Sequence, residues 1–177
     1  MSTKIEGADE LLRKLQNMSQ DMQVAAAKRA AVAGGTIVKR QAQLLVPRNA
    51  EALARSIRIR SSASAAGAKA EVYTNYEYAI YVEFGTGPKG QANHQGISPN
   101  ITPRYTQHGW GIPADQVSAE DAEKYHWPSR IYDGKTYYMT SGQAASPFMY
   151  PALNNRKEDV KKAMNASLRA SIKKEIR

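Results

Sequence analysis

The chain has 177 residues, enough for one domain with a real core, and its apolar share of 42% is that of an ordinary globular protein. It contains no cysteine, which excludes disulfides, thiol catalysis and thiolate metal sites. Lys and Arg number 25 against 16 Asp and Glu, and the net charge of +9 either favours polyanionic partners through screened attraction or simply solvates helix faces.

Residues 6–18 place Leu11, Leu12, Leu15 and Met18 at helical spacing, with Asp9 and Glu10 ahead of Arg13 and Lys14, the order a helix dipole prefers. A second helix is predicted over 20–45, with Met22, Ala26, Ala30, Ala33, Ile37 and Leu44 on one side. Its small residues allow another element to come close. Gly34 and Gly35 weaken the helix by about 1 kcal/mol each and predict a bend. Pro47 disfavours helical backbone at Val46 and should end the run there.

Strands follow. Ser56 to Ser61 alternates, with Ile57 and Ile59 on one face and Arg58 and Arg60 on the other. Residues 70–75 give a partner strand through Val72, Tyr73 and Thr74, and the small, flexible Ser62 to Gly67 joins the two as a hairpin connection. Tyr78 to Phe84 reads as the strongest strand, with Tyr78, Ile80, Val82 and Phe84 on one face and Ala79, Tyr81 and Glu83 on the other. From Gly85 to Lys135 the chain is rich in Gly, Pro, Asn and Gln with little periodicity, and it reads as a long loop. Within that loop a short helix is predicted after Ser118, which caps it, with Asp121 three residues on. Tyr137 to Thr140 is a last short strand. Pro147 to Pro151 leads into a closing helix reaching Ile176, in which Val160, Met164, Leu168, Ile172 and Ile176 recur every fourth residue. No stretch approaches the roughly 18 apolar residues of a membrane span, and the N-terminus lacks a signal-peptide apolar core, so synthesis in the cytoplasm is expected.

Gly85, Gly87 and Gly90 satisfy G-x-G-x-x-G after the predicted strand, but a dinucleotide site needs a helix opening at those glycines. Pro88 and the polar run Gln91 to Gly96 show no helical period, so the pattern reads as a turn and no cofactor is expected. His94, His108 and His126 share no metal-ligand spacing, and no metal is expected. Ser141 and Ser146 form no nucleophile elbow, and Glu120, Asp121 and Glu123 read as a solvated helix face. No catalytic residue is assigned and no enzyme is expected. Trp110 and Trp127 either cover the domain's own surface or enter a partner. Arg55, Arg58, Arg60 and Lys69 could form one basic patch.

Four segments in order resemble the tail-completion, or tail-component, family of long-tailed bacteriophages. They are Gly7-Ala8-Asp9-Glu10-Leu11, then Val46-Pro47 followed by Leu53, Ser56 and Ile57, then Tyr78 through Gly87, the most specific, and finally Gly142-Gln143 leading to Pro147 through Leu153 and a basic terminal helix. The chain departs from the family pattern at Glu51-Ala52, where relatives commonly have Thr-Gly, and in residues 85–136, a locally distinctive insertion.

The resemblance implies an α+β fold, with a small, mostly antiparallel sheet packed by a long helix of the N-terminal half and a C-terminal helix. The whole of 1–177 is then one tail-completion-like domain carrying the 85–136 insertion. It implies a non-enzymatic virion protein of the neck, assembled in the host cytoplasm. This protein would join head to tail as a ring, expected to be a hexamer, between head-closure (connector) proteins and a tail terminator or tail tube, with phage DNA passing through. Tyr78, Tyr81, Glu83, Phe84, Trp110, Trp127, Phe148 and Tyr150 are the candidate subunit contacts, Glu83 as an ion-pair partner across the interface. Arg55, Arg58, Arg60 and Lys69 are the candidates for facing DNA in the lumen. The competing reading is a basic nucleic-acid-binding protein acting outside the virion. A phage hydrolase is a third class, without a catalytic cluster to support it.

Overall fold

The computed structural model describes residues 19–175. The helix predicted over 6–18 lies outside the described residues, as does Ile176. The chain divides into two compact units, one made of the residues up to Tyr76 together with those from Pro151 onward, the other of Glu77–Tyr150. The fold class is α+β, as expected, with small antiparallel sheets and a long helix in each half of the first unit.

In the first unit, α1 (Gln20–Leu45) starts on Ser19, whose hydroxyl accepts from the Met22 N–H. It stops where Pro47 requires, since Val46 is already extended at φ −60°, ψ 134°. A short helix, α2 (Glu51–Ser56), follows and buries Leu53. Then comes a hairpin of β1 (Arg58–Ser64) and β2 (Gly67–Tyr73), paired from Arg58↔Tyr73 to Ser64↔Gly67. The strands therefore extend into the segment expected to be a connection, and only Ala65 and Ala66 make the turn. Ile57 ends α2 rather than opening the strand, but it is fully buried as its alternation with Ile59 suggested.

The closing helix is two helices, α6 (Met149–Asn154) and α7 (Lys157–Glu175), interrupted at Asn155 and Arg156. Helix α7 runs antiparallel to α1. Ala26 clusters with Ile172, Arg29 Nε donates to Ser171 Oγ at 3.0 Å, Gly34 faces Val160 and Met164, and Arg156 Nε donates to Gln41 Oε1 at 3.0 Å. The paired glycines do not interrupt α1, which is continuous through them. They serve close approach on two sides instead. A Cβ on Gly34 would lie 2.9 Å from Met164 Cγ and 3.1 Å from Val160 Cγ1, and one on Gly35 would lie 3.2 Å from Ala70 Cβ. So α1 is held between α7 and the inner face of the hairpin, which carries Ile59, Ala70 and Val72. The buried side is Ala26, Ala30, Ala31, Gly34, Gly35, Val38 and Ala42, whereas Leu44, placed on that side by the sequence reading, is 78% exposed.

This packing gives the first expected result. Gly34→Leu should cost about 3 kcal/mol of stability through overpacking against α7, while Gly34→Ala should nearly break even, since about 1 kcal/mol of helix propensity is gained against a small displacement of Met164. Urea unfolding followed by helical circular dichroism measures both, and equal effects would contradict the packing.

The second unit departs most from expectation. Tyr78 to Phe84 is not a strand: Ala79–Phe84 forms the helix α3, which ends at Gly85 with φ +75°. The following glycines open another short helix, α4 (Gly87–Ala92). The stretch expected to be a loop carries a three-stranded antiparallel sheet of β3 (Trp110–Pro113), β4 (Ser129–Tyr132) and β5 (Lys135–Thr140) in the order β3-β5-β4. Between β3 and β4 sits α5 (Ala119–Lys124), capped as expected by Ser118, whose hydroxyl accepts from Asp121 N–H at 3.0 Å. The β4–β5 turn is Asp133-Gly134, both at positive φ, the backbone of a two-residue hairpin loop.

Candidate functional site

The segment from Tyr81 to Asn93, which overlaps the most specific sequence pattern (Tyr78 through Gly87), is fastened to Ser141–Tyr150 within the second unit. Thr86 and Gln143 exchange backbone hydrogen bonds at 2.9 and 3.2 Å, and Lys89 N–H donates to Ser141 O at 3.1 Å. Gln143 Nε2 donates to Tyr81 O, Ala145 N–H to Asn93 O and Ser146 N–H to Val82 O, each at 2.8 Å. The two backbones approach so closely that side chains do not fit between them. A Cβ on Gly85 would lie 2.7 Å from Ala145 N and 2.8 Å from Gln143 O, and one on Gly87 would lie 2.6 Å from Ser141 O. One on Gly90 would meet the Gly85 carbonyl carbon at 2.8 Å, and one on Gly142 would overlap the Thr86 carbonyl oxygen.

The G-x-G-x-x-G pattern is thereby explained by backbone crossing. A helix does open at these glycines, contrary to the sequence reading, but it has only six residues, and the Lys89 N–H in its first turn already donates to Ser141.

Glu83 completes the clasp. Its side chain is buried, and its two carboxylate oxygens accept from the N–H groups of Phe148 (2.7 Å), Met149 (2.9 Å) and Tyr150 (3.1 Å). These are donors at the start of α6 that have no partner inside the helix, and a carboxylate there also meets the positive end of the helix dipole. The expectation that Glu83 pairs across a subunit interface is corrected accordingly, because its acceptors are used within the chain. Phe148 is likewise buried, at 1% exposure, and presents no surface to a neighbour. Phe84 and Tyr150 are half-buried, and the Phe84 carbonyl accepts from Tyr105 Oη at 2.8 Å. Burial pushes the Tyr105 hydroxyl above its ordinary pKa.

The remaining aromatic candidates lie at the surface. Tyr78 is 64% and Tyr81 49% exposed, with their rings edge to face at 6.4 Å. Trp110 is 38% exposed at the start of β3, and Trp127 is half-buried and stacked on Tyr125 at 5.4 Å. Also exposed, though not among the candidate contacts read from the sequence, are Leu44 and Leu45 at the end of α1, Ile80, and the edge-strand pair Ile131 and Tyr132. The histidines are dispersed, His94 stacking on Tyr105 at 5.7 Å, and among the described residues no group of His, Asp and Glu is arranged to hold a metal ion.

The four basic candidates are partly united. Arg58 and Arg60 project from the outer face of the β1–β2 hairpin, and the register sets Lys69 and Glu71 on that same face. Glu71 is paired with Lys69 and Arg60, and these two cations hold its carboxyl below the usual range. Arg60 also lies over the Tyr73 ring at 5.1 Å. Arg55 is on α2, where it pairs with Glu51 one turn earlier. The charge is divided sharply between the units. Met1–Tyr76 with Pro151–Arg177 hold 20 Lys and Arg against 9 Asp and Glu, a net +11, whereas Glu77–Tyr150 hold 5 against 7, a net −2.

No helix of the described residues is long and apolar enough to cross a membrane. No curated protein and no solved structure matches the chain. Residues 9–85, which run from the predicted N-terminal helix through α1, the β1–β2 hairpin and α3 to Gly85, match the model of the HK97-gp10-like family (Bacteriophage HK97-gp10, putative tail-component).

Proposed function

We propose that the chain is a structural, non-enzymatic protein of the phage neck that completes the tail and joins it to the head. In this reading it forms a ring, with six subunits, between the head-closure proteins and the tail terminator or tail tube, and DNA passes through the ring. The observation that carries the reading is the tail-component match over 9–85. The cationic outer face of the β1–β2 hairpin supports it, because a lumen that DNA crosses gains from positive charge along its wall. Mass spectrometry and imaging of purified virions test it: several copies per particle at the head–tail junction are expected, and particles without the chain would overturn the assignment.

The excess of +11 on one unit also favours the second reading, a basic nucleic-acid-binding protein that works outside the virion. The two readings predict different solution behaviour. A lumen wall needs only weak contact, so the isolated chain should bind duplex DNA with a Kd of about 10⁻⁴ to 10⁻⁶ M at physiological salt. Replacing Arg58 and Arg60 together by alanine should reduce the slope of log K against log salt by about 2. Sequence-selective binding at a Kd near ~10⁻⁸ M would favour the second reading instead.

A further inference from the structure

A closed ring built from one chain needs two different patches that fit each other, because only unlike faces generate a rotation that continues from subunit to subunit. The chain offers such a pair. On the second unit, α3 and the residue before it turn Tyr78, Ile80 and Tyr81 outward at 64%, 59% and 49% exposure, with the exposed Glu77 beside them. Single exposed apolar residues are ordinary, but Tyr78 and Tyr81 are three apart on helical backbone and touch edge to face, so they share one face, with the exposed Ile80 next to Tyr81 in sequence. On the first unit, the last turn of α1 exposes Leu44 and Leu45, with Arg40 and Arg48 exposed on either side in sequence. The Arg156–Gln41 hydrogen bond brings the junction of α6 and α7 to that turn and adds Leu153, which is 50% exposed.

Charge selects the pairing. Joining like patches would set Glu77 against Glu77, or Arg40 and Arg48 against their own copies, and like charges opposed across an interface are costly. Joining unlike patches sets a carboxylate against guanidinium groups, and it is also the pairing that a ring requires. The net charges of the units, −2 and +11, act in the same direction at longer range. We infer, resting on the neck-ring reading above, that Tyr78, Ile80 and Tyr81 of one subunit dock on Leu44, Leu45 and Leu153 of the next. Glu77 then faces Arg40 and Arg48. The occupant of each patch is a second copy of this chain.

The absence of cysteine makes the contact directly testable. Particles are assembled with the full chain carrying Leu44→Cys, Tyr81→Cys, or both, and are then oxidised and separated under denaturing, non-reducing conditions. The double variant should give a ladder of covalent multimers and each single variant none. If the double variant is present in several copies but stays monomeric, the docking proposal is overturned while the neck reading stands. A dimer from either single variant shows like patches meeting and also overturns it. Wild-type particles that lack the chain overturn the neck reading itself.

Should the double variant not enter particles, charged substitutions decide. Tyr81→Asp and Leu44→Asp should each lower the copies per particle roughly tenfold or more, whereas Ile131→Asp, on an exposed strand of the second unit, should not. Normal incorporation of both Tyr81→Asp and Leu44→Asp would overturn the proposal.

Discussion

Gly142→Ala is expected to lower the stability of residues 77–150 by about 4 kcal/mol or more, the largest effect of any single methyl group in the second unit. Two costs combine. Gly142 has φ +90°, a region in which a side chain is strained by about 1–2 kcal/mol. The added Cβ would also overlap the Thr86 carbonyl oxygen, and that atom is backbone, so it cannot turn aside as the end of a flexible side chain can. The strand-like pair must open, which removes the Thr86–Gln143 bonds and frees Gly142 N–H from Thr140 Oγ1. Gly134→Ala is the control: its φ is +72°, yet nothing lies within 4 Å of the new atom, so only the conformational cost of about 1 kcal/mol is expected. Both tryptophans fall inside Glu77–Tyr150, so their fluorescence during urea unfolding reports this unit. Similar losses in the two variants would mean that the crossing at Gly142 is looser than described.

The same crossing explains why some of the fold was legible in the sequence and some was not. Helix α1 and the β1–β2 hairpin follow from local rules: a small-residue stripe, a proline stop, and an Ile/Arg alternation whose more buried and exposed faces came out as read. Helix α3 failed because Tyr-x-Ile-x-Val-x-Phe has the period and the residue types of a strand. The opposing signal was Glu83. In the strand reading it fell on the second face with Ala79 and Tyr81, whereas in the structure it is more buried than Tyr78 or Ile80. A buried carboxylate is stable only with donors around it, and its donors lie 65–67 residues away, beyond the reach of any local pattern. The same distance hid the use of Gly85, Gly87 and Gly90, whose neighbours are at 141–145. One miss was avoidable. Asp133-Gly134 between apolar and aromatic runs is a strong short-range hairpin signal, and it would have revealed β4 and β5 inside the presumed loop. Of the candidate contacts, Tyr78 and Tyr81 are exposed, whereas Glu83 and Phe148 are buried within the chain.

Glu83→Ala is expected to destabilise the second unit by about 3–5 kcal/mol, and Glu83→Gln by about 2 kcal/mol. The argument is one of unsatisfied donors. Three N–H groups, those of Phe148, Met149 and Tyr150, converge on one carboxylate, and Phe148 is almost wholly buried, so water cannot readily replace the lost acceptor there. Glutamine keeps one acceptor oxygen but sets an NH₂ group against donors and loses the charge that favours the start of α6. Aspartate should fare little better than glutamine, since a side chain one methylene shorter cannot span the same distance without moving α3. Amide hydrogen exchange separates this mechanism from general loosening: protection at 148–150 should fall first in Glu83→Gln, while the β3-β5-β4 sheet keeps its protection. If protection falls evenly through the unit, Glu83 is a packing residue and not the clamp on α6. If the clamp holds as described, Glu83→Gln should leave the exposed Tyr78, Ile80 and Tyr81 as α3 presents them, and its effect on particle assembly should follow its effect on stability.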